Sequence, residues 1–86
     1  MPSPHRQNVR NACVGLSVDE LARLADEFNN KRDQQGLYYV YEWIKELLVE
    51  DHGFNENSPV VQHITHAMEN LRRYVAGEPL LGETTR

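Results

Sequence analysis

Leu37-Tyr38-Tyr39-Val40-Tyr41-Glu42-Trp43-Ile44 places four of the chain's seven aromatic side chains within six residues. At helical periodicity Leu37, Val40, Tyr41, Ile44, Leu47 and Leu48 follow i, i+3, i+4, i+7 spacing and form one apolar stripe. Tyr39 and Trp43, four residues apart, fall well round the cylinder from the centre of that stripe, in line with Glu46 and Glu50. Tyr38 and Val49 flank it on the other side. A helix that is apolar on more than one side requires more than one neighbour, so this stretch predicts the middle element of a helical bundle, an external partner, or both.

The sequence around it is punctuated for helices. Before it, Ser17-Val18-Asp19-Glu20 is a capping box, in which the Ser17 hydroxyl accepts from the Glu20 backbone N–H and the Glu20 carboxylate reaches back. Asp19 and Glu20 also complement the positive end of a helix dipole. Val18, Leu21, Ala22, Leu24, Ala25 and Phe28 then make one apolar face. Asn29 to Gln35 is polar, Lys31 and Arg32 suit a C-terminal turn, and Gly36 reads as a break. Residues 29–36 read either as a loop or as a solvated continuation of the helix; a frayed helix ending near Arg32 to Gln35 is the favoured reading, which gives helices over about 17–34 and 37–51. The second stops at His52-Gly53-Phe54, a left-handed glycine cap followed by an apolar residue that folds back.

Ser58-Pro59 opens a third helix, with serine as N-cap and proline at the first helical position. Val60, Val61, Ile64, Ala67, Met68, Leu71, Tyr74 and Val75 form its stripe, and Gly77 ends it near residue 76. Residues 1–15 read as a mobile arm or a short helix, since Ser3-Pro4 is a possible cap and Val9, Ala12 and Cys13 have helical spacing. Residues 78–86, with Leu80-Leu81 in a Pro/Gly/Thr setting, read as a flexible tail. Fold class is therefore all-α: a small three-helix bundle over 16–77, with a possible short N-terminal helix.

Eighty-six residues with 40% apolar content suit one folded domain whose core is marginal without idealised packing or a partner subunit. A homodimer is the expectation that follows. The net charge of −4 is uneven, with +2 in residues 1–15, −5 in 16–77 and −1 in 78–86. Acidity disfavours phosphate-rich partners. No apolar run approaches the roughly 18–20 residues of a membrane span. The polar first ten residues lack the apolar core of a secretory signal, so the expected location is the cytoplasm, with no membrane partner. A single cysteine, Cys13, allows no intramolecular disulfide and reads as a small, half-buried hydrophobe.

Chemistry-bearing patterns are sparse. His63 and His66 are spaced i, i+3 rather than the i, i+4 of helical zinc sites, and read as exposed or boundary residues. No nucleophile-elbow, phosphate-loop or metal-ligand motif occurs, and the expectation is a non-enzymatic chain with no cofactor and no metal. Ser17 to Ala25 is similar to the opening helix of helix-turn-helix proteins. The element that follows, however, is aromatic and Glu-rich, and the basic pairs Arg6/Arg10, Lys31/Arg32 and Arg72/Arg73 are scattered. DNA binding is the lesser alternative, and a purely structural homo-oligomerisation module is another.

Glu42, Glu46 and Glu50 form an i, i+4 ladder of like charge with only Lys45 to temper it. Beside Tyr39 and Trp43 this acidic stripe suits a basic partner surface. In size, acidity and helical content the chain is similar to small bacterial anti-activators that mask transcription factors, and to phage-encoded inhibitors of host machinery. That class-level likeness implies a regulator that binds another protein and occludes its functional surface. The protein-binding residues expected are Tyr39 and Trp43 as anchors, Glu46 and Glu50 as polar rim, and Tyr38 as a secondary contact.

Overall fold

The computed structural model describes residues 4–77; the expected tail 78–86, and Ser3 as a cap, lie outside the described residues. Four helices and no strand occur among the described residues. They are α1 (Pro4–Cys13), α2 (Val18–Asn30), α3 (Gln34–Glu46), which continues into a π-helical turn (Leu47–Asp51), and α4 (Pro59–Ala76). None of these helices is long and apolar enough to cross a membrane. Of the two readings of the N-terminal segment, the helix is the one adopted.

The α2 capping box forms in both directions, with Glu20 N–H donating to Ser17 Oγ at 3.2 Å and Ser17 N–H donating to Glu20 Oε1 at 2.9 Å. The far end departs from the sequence reading, because α2 stops at Asn30 rather than near 34. Arg32 takes the left-handed conformation (φ 59°) that glycine usually supplies. Arg32 N–H then donates to Asn29 C=O and Asp33 N–H to Phe28 C=O, closing a Schellman turn.

The next helix begins at once. The Asp33 carboxylate accepts from Gly36 N–H at 2.9 Å and caps α3, so α3 starts at Gln34, three residues earlier than the apolar stripe indicates. Gly36 is therefore not a break. It lies in the first turn of α3, where a Cβ would sit 2.6 Å from Phe28 Cδ1 and from Asp33 Oδ2. Its missing side chain lets the end of α2 approach α3.

At the other end of α3 the last turn widens to a π turn, and His52 N–H donates to Leu47 C=O. Gly53 is left-handed (φ 73°), as the sequence predicts, and Phe54 N–H donates to Leu48 C=O. That bond reaches one residue further back than in an α-helical Schellman turn, as the wider turn requires. In α4 the expected start and stop are both present, with Ser58 as N-cap, Pro59 in the first turn and Gly77 left-handed. The Ser58 hydroxyl makes no capping bond, and its oxygen is buried without a hydrogen-bond partner.

α3 is the hub. α1, α2 and α4 each pack on it, and touch one another much less. The core follows: Leu37, Val40, Ile44 and Leu48 of α3 meet Val9 and Cys13 of α1, Leu21 and Ala25 of α2, and Val61, Ile64 and Leu71 of α4. Cys13 is fully rather than half buried. Three large stripe residues of α4 are exposed: Val60 in the first turn, and Tyr74 and Val75 in the last. The last turn of α4 lies beside the first turn of α3 across a groove and extends beyond the buried core. Ala22, assigned to the α2 face, is exposed for a similar reason, as it borders the stripe away from α3.

Candidate protein-binding surface

Two flanks of α3 carry the aromatic excess, and each has acquired a neighbour. On one flank α1 lies across Trp43 and the glutamate ladder. The Arg10 guanidinium stacks over the Trp43 ring, 4.9 Å from its centroid. Its Nη2 reaches Glu46 Oε1 at 3.0 Å, and its Nη1 reaches Glu42 Oε1 at 3.0 Å and Glu46 Oε2 at 3.3 Å. Arg6 Nη2 donates to the same Glu42 oxygen at 3.0 Å. Nearer the start of α3, His5 Nε2 lies 2.9 Å from Asp33 Oδ2, and its ring meets Tyr39 edge-on at 5.9 Å.

The spacing explains the fit. Arg6 and Arg10 are four apart on α1, and Glu42 and Glu46 are four apart on α3, so two helical faces of opposite sign coincide turn for turn. Arg10 is the better enclosed partner, its side chain 19% exposed. The hydrogen bond to Glu46, then the charges of Glu46 and Glu42, hold its proton more firmly than usual despite partial desolvation. Beyond Arg10 a depression of about 170 Å³ is lined by Trp43, Glu46, Leu47, Glu50 and Asp51. Glu50 and Asp51 there are exposed.

The other flank opens toward α4. Gln35, Tyr38 and Tyr39 of α3 face Leu71, Arg72 and Val75 of α4 across a groove of about 250 Å³. Tyr38 and Tyr39 stand edge to face, with ring centroids 6.0 Å apart. Val75, at the groove's outer edge, is 56% exposed, and Tyr74, next to it in the last turn of α4, is 61% exposed. Tyr39 thus joins the two flanks, touching His5 of α1 on one side and the α4 groove on the other.

The five residues singled out from sequence are divided by this arrangement. Tyr38 and Tyr39 are half-buried and line the groove; Trp43 is half-buried beneath Arg10; Glu46 is paired with Arg10; Glu50 stands exposed at the rim. Compared with protein-family models, characterised proteins and solved structures, the chain matches none. Geometry alone therefore describes the surface.

Sequence reasoning placed Glu42 in the acidic stripe but missed Arg10, Leu71 and Val75 as members of this surface. The matched i, i+4 spacing of Arg6/Arg10 and Glu42/Glu46 was the available signal, but it names a pair only once α1 is known to cross α3. Among the described residues no polar or charged residue is buried as a whole, the Ser58 hydroxyl oxygen being buried as an atom, and no three His, Cys, Asp or Glu side chains converge to hold a metal ion. His63 and His66 are both exposed. Burial pushes the Cys13 thiol up, opposed weakly by the Arg10 charge, so the thiolate that a nucleophile needs is disfavoured. The chemistry this surface offers is recognition of apolar and cationic groups.

Proposed function

We propose that this chain is a small non-enzymatic regulatory protein that binds another protein through α3 and covers a functional surface of that partner. The observation that carries the reading is Arg10 seated on Trp43 between Glu42 and Glu46. An aromatic face rimmed by carboxylates is complementary to an arginine-bearing surface, since the guanidinium stacks on the ring while its N–H groups meet the acids. The adjoining Tyr38/Tyr39 groove supplies apolar area next to it, and Tyr and Trp are the side chains most often found as interface anchors. The partner this surface suits is basic with an apolar component.

The placement of basic residues favours protein over nucleic acid. Arg6 and Arg10 are engaged by Glu42 and Glu46, and Arg72 and Arg73 by Glu69, so four of the nine basic groups are already matched to acids within the chain. A phosphate-binding face requires such groups clustered and unmatched.

Trp43 packs against the core as well as under Arg10, so its truncation perturbs stability and binding together. Exposed positions give the cleaner test. Glu50→Lys combined with Tyr74→Ser changes both flanks while leaving the melting temperature within a few degrees, as surface substitutions do. Used as baits side by side, the wild type retains a protein that this variant loses. Identical sets of retained proteins overturn the reading. The exposed Tyr74 and Val75 also favour a second reading, a homodimer closed through the groove. Sedimentation equilibrium of the wild type and of Tyr74→Ser decides it, since only a dimer sealed there changes mass between the two.

A further inference from the structure

We propose that α1 is a detachable internal occupant of the α3 face, and that the partner which takes its place presents a basic helix with arginines four residues apart. This rests on the reading of α3 as the binding face and adds both the regulation of that face and the chemistry of its partner.

Five features of the structure support it. First, α1 is held mainly by α3 and buries only Val9 and Cys13. The rest of its attachment is ionic or edge-on: His5 to Asp33 and Tyr39, Arg6 to Glu42, Arg10 to Glu42, Glu46 and Trp43. Such partly exposed pairs are individually weak and are screened by salt. Second, ten residues are too few for a stable helix without docking, so release and unfolding of α1 are one event.

Third, the connection is short, and of its residues Leu16 alone packs against the core. Val14 to Ser17 separates α1 from α2, Gly15 there is left-handed (φ 81°), and nothing lies near its Cα where a side chain would project. α2 is capped by its own Ser17 and Glu20, so its start does not depend on α1. Fourth, the charges match in sign and spacing: an arm of +2 lies on a body of −5. Fifth, α1 itself is the template. Arg6 and Arg10 meet Glu42 and Glu46 while Val9, on the same side, enters the core. A partner helix carrying Arg-x-x-apolar-Arg reproduces each of those contacts. α2 and α4 pack on α3 through contacts of their own, separate from those of α1.

The probe is a fluorescein-labelled peptide of residues 3–15 with Cys13→Ser, titrated by anisotropy against three forms of the full chain. Loosening the built-in helix with Arg6→Ala and Arg10→Ala raises the fraction of molecules with an open face, and apparent affinity rises in proportion to that fraction. The double variant therefore binds the peptide about tenfold more tightly than the wild type, and Glu42→Gln with Glu46→Gln binds it least. Equal affinity of the wild type and the arginine variant overturns the detachable cover while leaving α3 as a binding face. Absence of binding to every form, with circular dichroism showing each folded, overturns both.

A measurement on the unaltered protein guards against a variant that fails to fold. Trp43 is the chain's sole tryptophan and lies directly under Arg10. Raising salt from low to about 0.5 M screens the clamp, and acrylamide quenching of Trp43 increases at least twofold while helical signal falls by roughly one short helix. Unchanged quenching across that range shows that α1 stays in place, and the inference fails.

Discussion

Gly36→Ala sets helix propensity against packing, and the two predict opposite signs. In a helix interior alanine is favoured over glycine by about 1 kcal/mol, so local preference alone makes the variant more stable. Packing says otherwise. The new Cβ sits 2.6 Å from Phe28 Cδ1, 2.8 Å from Phe28 Cε1 and 2.6 Å from Asp33 Oδ2, whereas comfortable carbon contacts are about 3.5–4.0 Å. Relief requires either that the Phe28 ring leave the α2–α3 contact or that the end of α2 move out. Forced overpacking of this kind costs about 1–3 kcal/mol. Moving Asp33 also weakens the cap that its carboxylate forms with the Gly36 N–H, worth about 1 kcal/mol.

Set against the propensity gain, the net is a loss of about 1–3 kcal/mol. In a domain of this size each kcal/mol moves the melting temperature by roughly 4–8 °C. Thermal and urea melts followed by circular dichroism should show a drop of about 5–20 °C. The loss should be partly recovered when Phe28→Leu is added, because the two changes share a contact. A melting temperature equal to or above that of the wild type refutes the argument, since it means that α2 does not approach α3 as closely as described. Asp33 also holds His5, so the variant should raise Trp43 quenching slightly as α1 loosens.

Arg32→Gly should stabilise the chain by about 1 kcal/mol, since glycine accepts the left-handed conformation that arginine holds at a cost; an unchanged urea midpoint counts against the strain. Glu69 is held down to about 2 by its hydrogen bond to Arg72, with Arg73 assisting. Its contribution is present above the ordinary carboxylate range and is lost as pH falls through about 2, so an NMR titration should find its midpoint far below the ordinary glutamate value. Glu20 is lowered by the backbone N–H and hydroxyl of Ser17, so its cap survives mild acid. Ser17→Ala should raise the Glu20 midpoint toward normal and cost about 1 kcal/mol. Cys13 is fully buried with its thiol pushed up, so Ellman's reagent should react slowly in low salt and faster under conditions that free α1; a rate independent of salt contradicts that link.

Legibility varied with how local the physics was. The start of α2, the proline-led start of α4, the left-handed Gly53 and the stop at Gly77 are short-range patterns that act through neighbouring backbone groups, and each is present as read. The α2–α3 junction stays open in the sequence because two unusual residues trade places there. Arg32 does what a glycine normally does, and Gly36, the residue that looks like a terminator, serves a close helix approach instead. Only the tertiary contact with Phe28 distinguishes these roles. The aromatic stretch was legible as a helix with too many apolar sides. Its neighbours were not, since which helix covers which flank depends on the path of α1, and a ten-residue segment with two buried side chains leaves a faint pattern.

The glutamate ladder decides what can replace α1. Glu42, Glu46 and Glu50 repel one another along α3, each pair costing a few tenths of a kcal/mol, and α1 brings two cations to two of the three rungs. The Glu42 side chain is only 24% exposed in that arrangement. An occupant of the same footprint without positive charge would cover Glu42 and leave it unmatched, and uncompensated burial of a carboxylate is far more costly than the ladder's own repulsion. A neutral apolar helix is thus rejected on the Trp43 flank however well its shape fits, although the Tyr38/Tyr39 groove, whose apolar lining ends on Leu71 and Val75, would accept it. The two flanks therefore select on different chemistry. A partner that engages both must carry arginine at helical spacing on one side and apolar side chains on the other, and Glu42→Ala should relax that selectivity by letting uncharged helices compete with α1.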